Sequence, residues 1–194
     1  VRAARDAGLT FHVETSAAAY ERLGDLYLDN ATRRHARPGY RYDAGHFLRL
    51  RDTLGAHQTL FGVHLGDELI AGAVFLRSPD FVHLHLAAAD RRHAHSRPMN
   101  LLFFEAMQWA CGLGARALNL GGGYRGEDEW FRFKAGFSPL RAPRPVGRAV
   151  YLFEEYARAE ERRLEQGEII DCDYFPPYRS PLPNEGLLGD ALSH

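Results

Sequence analysis

The sequence predicts an α/β (α+β) domain with a mixed central sheet of about six to seven strands flanked by helices. Two observations carry that expectation. Residues 59–65, 69–76 and 82–86 are apolar and β-prone, and only the turn residues Gly66-Asp67-Glu68 and Ser78-Pro79-Asp80 separate them, which reads as an antiparallel meander. Directly after it, Met99, Leu102, Phe103, Ala106, Met107, Ala110 and Cys111 repeat at helical spacing up to Gly112 and Gly114, and residues 117–120 return to a short strand.

Elements before and after this centre follow from local signals. Residues 11–14 read as a strand, and Ser16 as the cap of a helix that places Tyr20, Leu23, Leu26 and Tyr27 on one face. Asp43 caps a second helix carrying Phe47, Leu50 and Leu54, and the basic linker Arg33-Arg34-His35-Ala36-Arg37-Pro38-Gly39 joins the two. Ser96 to Pro98 supply helix-start chemistry for the helix of the centre. Residues 127–134 suit a short helix, and two weaker strands are expected between about residue 137 and residue 153. Residues 154–166 are charged and helix-prone. Beyond them the proline-rich run DYFPPYRSPLPNEG argues against regular structure, while Tyr174, Phe175 and Tyr178 are candidates to dock on the core.

A chain of 194 residues with 45% hydrophobic content suits one globular domain. We expect residues 1–154 to form it and residues 155–194 to form a charged helix and tail. No apolar run approaches the roughly 20 residues of a membrane span, and the first residues lack the apolar core of a signal peptide. Cys111 and Cys172 give neither a metal spacing nor a disulfide framework, so the expectation is a soluble, cytoplasmic protein without membrane insertion, metal or tightly bound cofactor. The chain begins at Val1 rather than Met, as a processed protein or the later part of a longer one would. From Glu154 onward it carries ten acidic and four arginine residues, against 15 acidic and 20 basic before it. That mildly basic core falls short of the footprint of a dedicated nucleic-acid binder.

The densest chemistry lies between Leu118 and Ser138. Gly121, Gly122 and Gly123 end a strand and permit close approach of a ligand to the backbone, with Tyr124 beside them. Lys134 follows and is the chain's single lysine, the other 23 basic residues being arginines. Residues 121–126 spell G-x-G-x-x-G, yet the helix after them is too short for a dinucleotide-binding unit of about 30 residues. His83 and His85 share a strand face and are candidate substrate-binding residues; a proton-transfer or metal role is conceivable there, but without a third ligand in register packing or hydrogen bonding is the preferred reading. Arg91, Arg92, His93, His95 and Arg97 form a phosphate-facing cluster, in competition with an ordinary solvated loop. Asp128 and Glu129 could take a proton from the amine, but a solvated helix face is the preferred reading, and no general base is assigned.

The element order resembles the GNAT acyltransferase fold and, within it, the FemAB-like branch that includes BioF2-like acetyltransferase domains. Three strings carry the likeness: Val82-His83-Leu84-His85-Leu86, Leu118-Asn119-Leu120-Gly121-Gly122-Gly123 and Trp130-Phe131-Arg132-Phe133-Lys134-Ala135-Gly136-Phe137-Ser138. The resemblance covers residues 1–154 and implies transfer of an acyl or aminoacyl group to an acceptor amine. Its branch implies an aminoacyl-tRNA or acyl-CoA donor, a peptidoglycan or peptide-like product, a tRNA acceptor end as partner, and a tandem protein of which this chain is the second half. The Phe-Lys pair of that branch matches Phe133 and Lys134. It implies that Lys134 stabilises the carbonyl oxygen, that Phe133 shapes the channel, and that Gly121 to Gly123 admit the acyl end.

One stretch departs from the family. Acetyl-CoA-dependent members carry a glycine-containing Q/R-x-x-G-x-G/A loop after the fourth strand, where backbone N–H groups hold the pyrophosphate. Here residues 90–98 read Asp-Arg-Arg-His-Ala-His-Ser-Arg-Pro, with no glycine. The alternatives to aminoacyl transfer are therefore acetyl-CoA-dependent N-acetylation with phosphates met by side chains, and a non-catalytic binding module of the same fold.

Overall fold

Helix starts fall where short polar side chains predict them. In the computed structural model, which describes residues 1–123, 127–143, 145–168, 170 and 174–180, the Ser16 hydroxyl accepts the Ala19 N–H at 3.2 Å and opens α2 (Ala17–Arg33). Asp43 accepts the His46 N–H at 2.9 Å and opens α3 (Ala44–Leu54). Ahead of them stand a single-turn helix that the sequence did not signal, α1 (Arg2–Asp6), and the strand β1 (Leu9–Glu14).

The meander forms as β2 (Gln58–Leu65), β3 (Glu68–Arg77) and β4 (Phe81–Ala89), followed by α4 (Pro98–Gly112) and β5 (Ala117–Asn119). The sheet order is β1-β2-β3-β4-β5; the first three pairings are antiparallel and the last is parallel. The sheet is mixed, as expected, but has five strands among the described residues rather than six or seven. No strand forms between residues 137 and 153 among those described. The apolar residues behind that expectation are used otherwise: Phe137 packs edge-on against Phe133, and Phe153 opens a helix, α6 (Phe153–Glu165).

Helices cover both faces of the sheet. Phe61, Val63, Phe75, Val82 and Leu84 meet Leu101, Leu102 and Phe103 of α4 on one side. On the other, Leu60, Val74 and Ala88 meet Tyr20, Leu23 and Leu26 of α2 and Phe47 of α3. Helices α2 and α3 approach so closely that a Cβ on Gly24 would lie 2.4 Å from the Ala44 Cα, so only glycine fits there.

The chain divides into two compact units, Val1–Pro139 and Leu140–His194. The second is built on α6, where Tyr156 packs against Phe175 and Tyr178 while Arg163 pairs with Glu168 at 2.5 Å and donates to the Tyr178 carbonyl. Among the described residues, no helix is long and apolar enough to cross a membrane.

Candidate active site

Strands β4 and β5 pair only from Phe81–Ala117 to His83–Asn119 and then part. The cause is local. The Asn119 side chain accepts the Gly121 N–H at 2.7 Å, and Gly121 takes φ +72°, so the chain turns away from the sheet. Residues 84–89 of β4 are left without a strand neighbour on that edge among the described residues. Because β4 and β5 are parallel, the gap opens at the carboxyl ends of both strands, where an open α/β sheet receives ligands.

Past the gap, Asp128 accepts the Phe131 N–H at 2.8 Å and starts α5 (Glu129–Ala135). This short helix carries Lys134 back to the glycine turn. Its ammonium donates to the Gly122 carbonyl at 2.8 Å and lies 4.6 Å from the centre of the Trp130 ring. Lys134 is 8% exposed, and burial lowers its pKa to about 8 while Asp128 pulls the other way. It therefore stays largely cationic at neutral pH, with further N–H donors to offer. Gly121 lies 3.6 Å, measured from an added Cβ, from the same nitrogen.

Phe133 is placed among aromatic rings. It stacks on Trp130 at 5.4 Å and meets Phe103 of α4 and Phe137, so it anchors α5 to the core and thereby fixes Lys134. Gly122 has open space around it. Tyr124 lies outside the described residues.

The two histidines of β4 sit at the start of the gap. His83 is in the last pair with β5, and the β3–β4 register slips between Val74–Leu86 and Phe75–Leu84, leaving His85 as the extra residue of a β-bulge. His85 keeps an exposed surface yet is crowded enough that burial, then His83, then His46 lower its pKa. His46 comes from α3 and was not singled out in the sequence, because nothing in a helix-start pattern announces a partner on a distant strand. No group of three His, Cys, Asp or Glu residues among those described is arranged to hold a metal.

The loop after β4 winds into a 3₁₀ turn (Arg91–Ser96) capped by Asp90. Arg92 is committed to that cap: its guanidinium donates to both Asp90 carboxylate oxygens, at 2.6 Å to Oδ2, and reaches Glu68 at 3.2 Å, and it holds the Asp90 pKa near 2. The His93 Nδ1 is buried without a hydrogen bond, 3.9 Å from Asp90. Arg91 and Arg97 are exposed, and their side chains carry no hydrogen bond or ion pair among the described residues. Of the arginines in the predicted phosphate-facing group, these two are the ones available to an anion.

The molecule thus presents a helix-flanked mixed sheet that splits between parallel strands, with a cation at the mouth of the split. The chain belongs to the acetyltransferase (GNAT) domain family, whose model matches residues 1–134. It is a GNAT acyltransferase, and acetyl-CoA is the donor of the acetyltransferases in that family. No curated protein matches the chain.

Among solved structures, an aminoglycoside acetyltransferase from an uncultured soil metagenomic sample, in complex with sisomicin, is 13% identical. It aligns over 76% of this chain and 98% of its own with a TM-score of 0.59. A ribosomal-protein-alanine N-acetyltransferase from Brucella melitensis biovar Abortus 2308 is 12% identical over 74% and 99%, at 0.57. A possible acetyltransferase from Clostridium difficile 630 is 8% identical over 73% and 97%, also at 0.57. At such identities these neighbours speak to the fold alone.

Proposed function

We propose that the chain is an acetyl-CoA-dependent N-acetyltransferase, which makes an amide by direct attack of an acceptor amine on a thioester held in the β4–β5 gap. The observation that carries the reading is the lysine at the mouth of that gap. The donor's pantetheine arm bears amide groups that match the unpaired N–H and C=O groups of β4, and burying such an edge without partners would be costly. Gly121 to Gly123 leave the acyl end free of side chains. Lys134 stabilises the oxyanion that develops at the carbonyl, in a site where water is partly excluded. Arg91 and Arg97 meet the donor phosphates through side chains, in place of a glycine-rich backbone cradle.

Transfer from aminoacyl-tRNA, as in the FemAB-like branch, is the second reading. The glycine-free loop at residues 90–98 favours it, together with the Phe133-Lys134 pair.

Calorimetry with acetyl-CoA and thiol-release assays with primary amines separate the two, run beside transfer from aminoacyl-tRNA. We expect micromolar acetyl-CoA binding and thiol release, with Lys134→Met lowering kcat about 10²–10³-fold at similar donor affinity. A folded Lys134→Met protein with unchanged kcat sinks the oxyanion role. Transfer from aminoacyl-tRNA without acetyl-CoA binding overturns the first reading.

A further inference from the structure

Two histidines of β4, His83 and His85, and a third from a distant part of the sequence, His46, converge on the side of β4 that faces α2 and α3. Leu76, the partner of His83 on β3, packs into the cluster under those helices, as does Leu86 beyond the bulge, whereas Val82 and Leu84 pack under α4. His83 therefore faces α2 and α3, and the bulge sets His85 next to it at the point where the pairing with β5 has just ended. From α3, His46 stacks on Tyr42 with ring centres 4.1 Å apart, and Tyr42 in turn stacks on Tyr27 of α2 at 5.7 Å. The His46 Nε2 is buried and makes no hydrogen bond, while His85 carries none among the described residues. A buried, unsatisfied imidazole nitrogen beside an open gap is an expensive arrangement unless something docks there.

We propose that His46, His83 and His85 form the acceptor-amine site, with His85 as the base that removes the ammonium proton and the Tyr27–Tyr42 pair attracting the incoming cation. This rests on the acyl-transfer reading above. Neutral His85 accepts one proton from the ammonium, and the freed nitrogen lone pair forms the C–N bond at the thioester carbonyl carbon. Collapse of the tetrahedral species breaks the C–S bond, whose electrons leave with sulfur. The second N–H proton goes to that thiolate, giving amide and thiol, and His85 returns its proton to solvent.

The surroundings keep this imidazole neutral. Positive charge on His85 is disfavoured by burial, by His83 on its own strand and by His46 from α3. His46 is itself held low by burial and Arg49, against the opposing pull of Asp43. The remaining titratable neighbours are the phenols of Tyr27 on α2 and of Tyr42 just before α3, and β3 presents apolar Val74 and Leu76 on this face.

The test combines imidazole NMR with kinetics on the full chain. His85 is expected to titrate below about 6.5, and n-butylamine at tens of millimolar to shift the His85 and His83 resonances, in wild type and in Lys134→Met alike. With acetyl-CoA and n-butylamine, His85→Ala is expected to lower kcat/KM about 10²-fold near neutral pH. The gap should narrow as pH approaches the amine's own pKa, and added imidazole should restore part of the rate. An ordinary His85 titration, no amine response, or a rate loss that neither pH nor imidazole relieves overturns the proposal. Intact amine-induced shifts without acetyl-CoA binding overturn the donor assignment instead and leave the amine site standing.

Discussion

Two parts of the sheet, a closed centre and an open edge, are built on opposite rules. Strands β2 and β3 pair along their whole length, from Gln58–Leu76 to Leu65–Glu68, and bury Phe61, Val63, Ala71, Ala73 and Phe75 beneath α4. Strands β4 and β5 pair over three residues and then diverge around a buried lysine. The centre, the closed end of this comparison, holds the fold together, and the β4–β5 edge, the open end, is left split. Substitutions should thus lower stability at the closed end, and at the open end change chemistry with little loss of stability or even a gain.

The largest effect is expected at the closed end. Phe61 is fully buried and touches the rings of Phe11, Phe75 and Trp109, so Phe61→Ala should cost about 3–5 kcal/mol in chemical denaturation, with near-normal turnover by the fraction that remains folded.

At the open end the sign reverses. The folded pKa of Lys134 lies near 8, against an ordinary 10.5, so the buried charge penalises the folded state fully below about pH 8. Between those values the folded lysine is neutral while the unfolded one still binds a proton. That penalty fades across the window, and wild-type stability rises with pH. Lys134→Met should thus be more stable than wild type near neutral pH by about 1–3 kcal/mol, after the lost bond to Gly122 is counted. Its advantage should shrink as pH rises from 8 towards 10.5. A Lys134→Met protein less stable than wild type at pH 7 would place the lysine in the closed end's logic.

Gly24→Ala tests the joint between the two regimes. Its Cβ would collide with the Ala44 backbone, so separating α2 from α3 should cost about 1–3 kcal/mol and displace His46. The comparison predicts a second loss, in kcat/KM, larger than that of an equally destabilised Phe61 variant.

The smallest expected effect is at Gly121, where φ is +72° and an added Cβ would meet only the Lys134 Nζ, at an ordinary contact distance of 3.6 Å. Gly121→Ala should cost about 1–2 kcal/mol through backbone strain alone, read as a lower thermal midpoint.

What could be read in advance follows the range of the interactions involved. The meander, the caps Ser16 and Asp43 and the periodic helix over residues 98–112 are set by neighbours in sequence, and each was legible to within a few residues. The strands expected near residues 137–153 were not, because apolar residues in a short run give no sign of whether they will pair or, like Phe137, fill an aromatic cluster. In the site, the glycine turn and Lys134 stood out by composition. The bond from Lys134 to the Gly122 carbonyl and the convergence of His46 on His85 depend on the fold. So does the engagement of Arg92 by Glu68, 24 residues away, which leaves Arg91 and Arg97 as the free cations of that loop among the described residues.

The single lysine has a consequence for the protein's own survival. An enzyme that concentrates an activated acyl group risks acylating itself, and exposed lysines are the obvious competing nucleophiles. This chain carries arginine at 23 of its 24 lysine and arginine positions, and the guanidinium stays protonated and unreactive at neutral pH, while the one lysine is buried with its ammonium bonded to the Gly122 carbonyl. Its side chains thus offer an activated acyl group almost no exposed amine to modify.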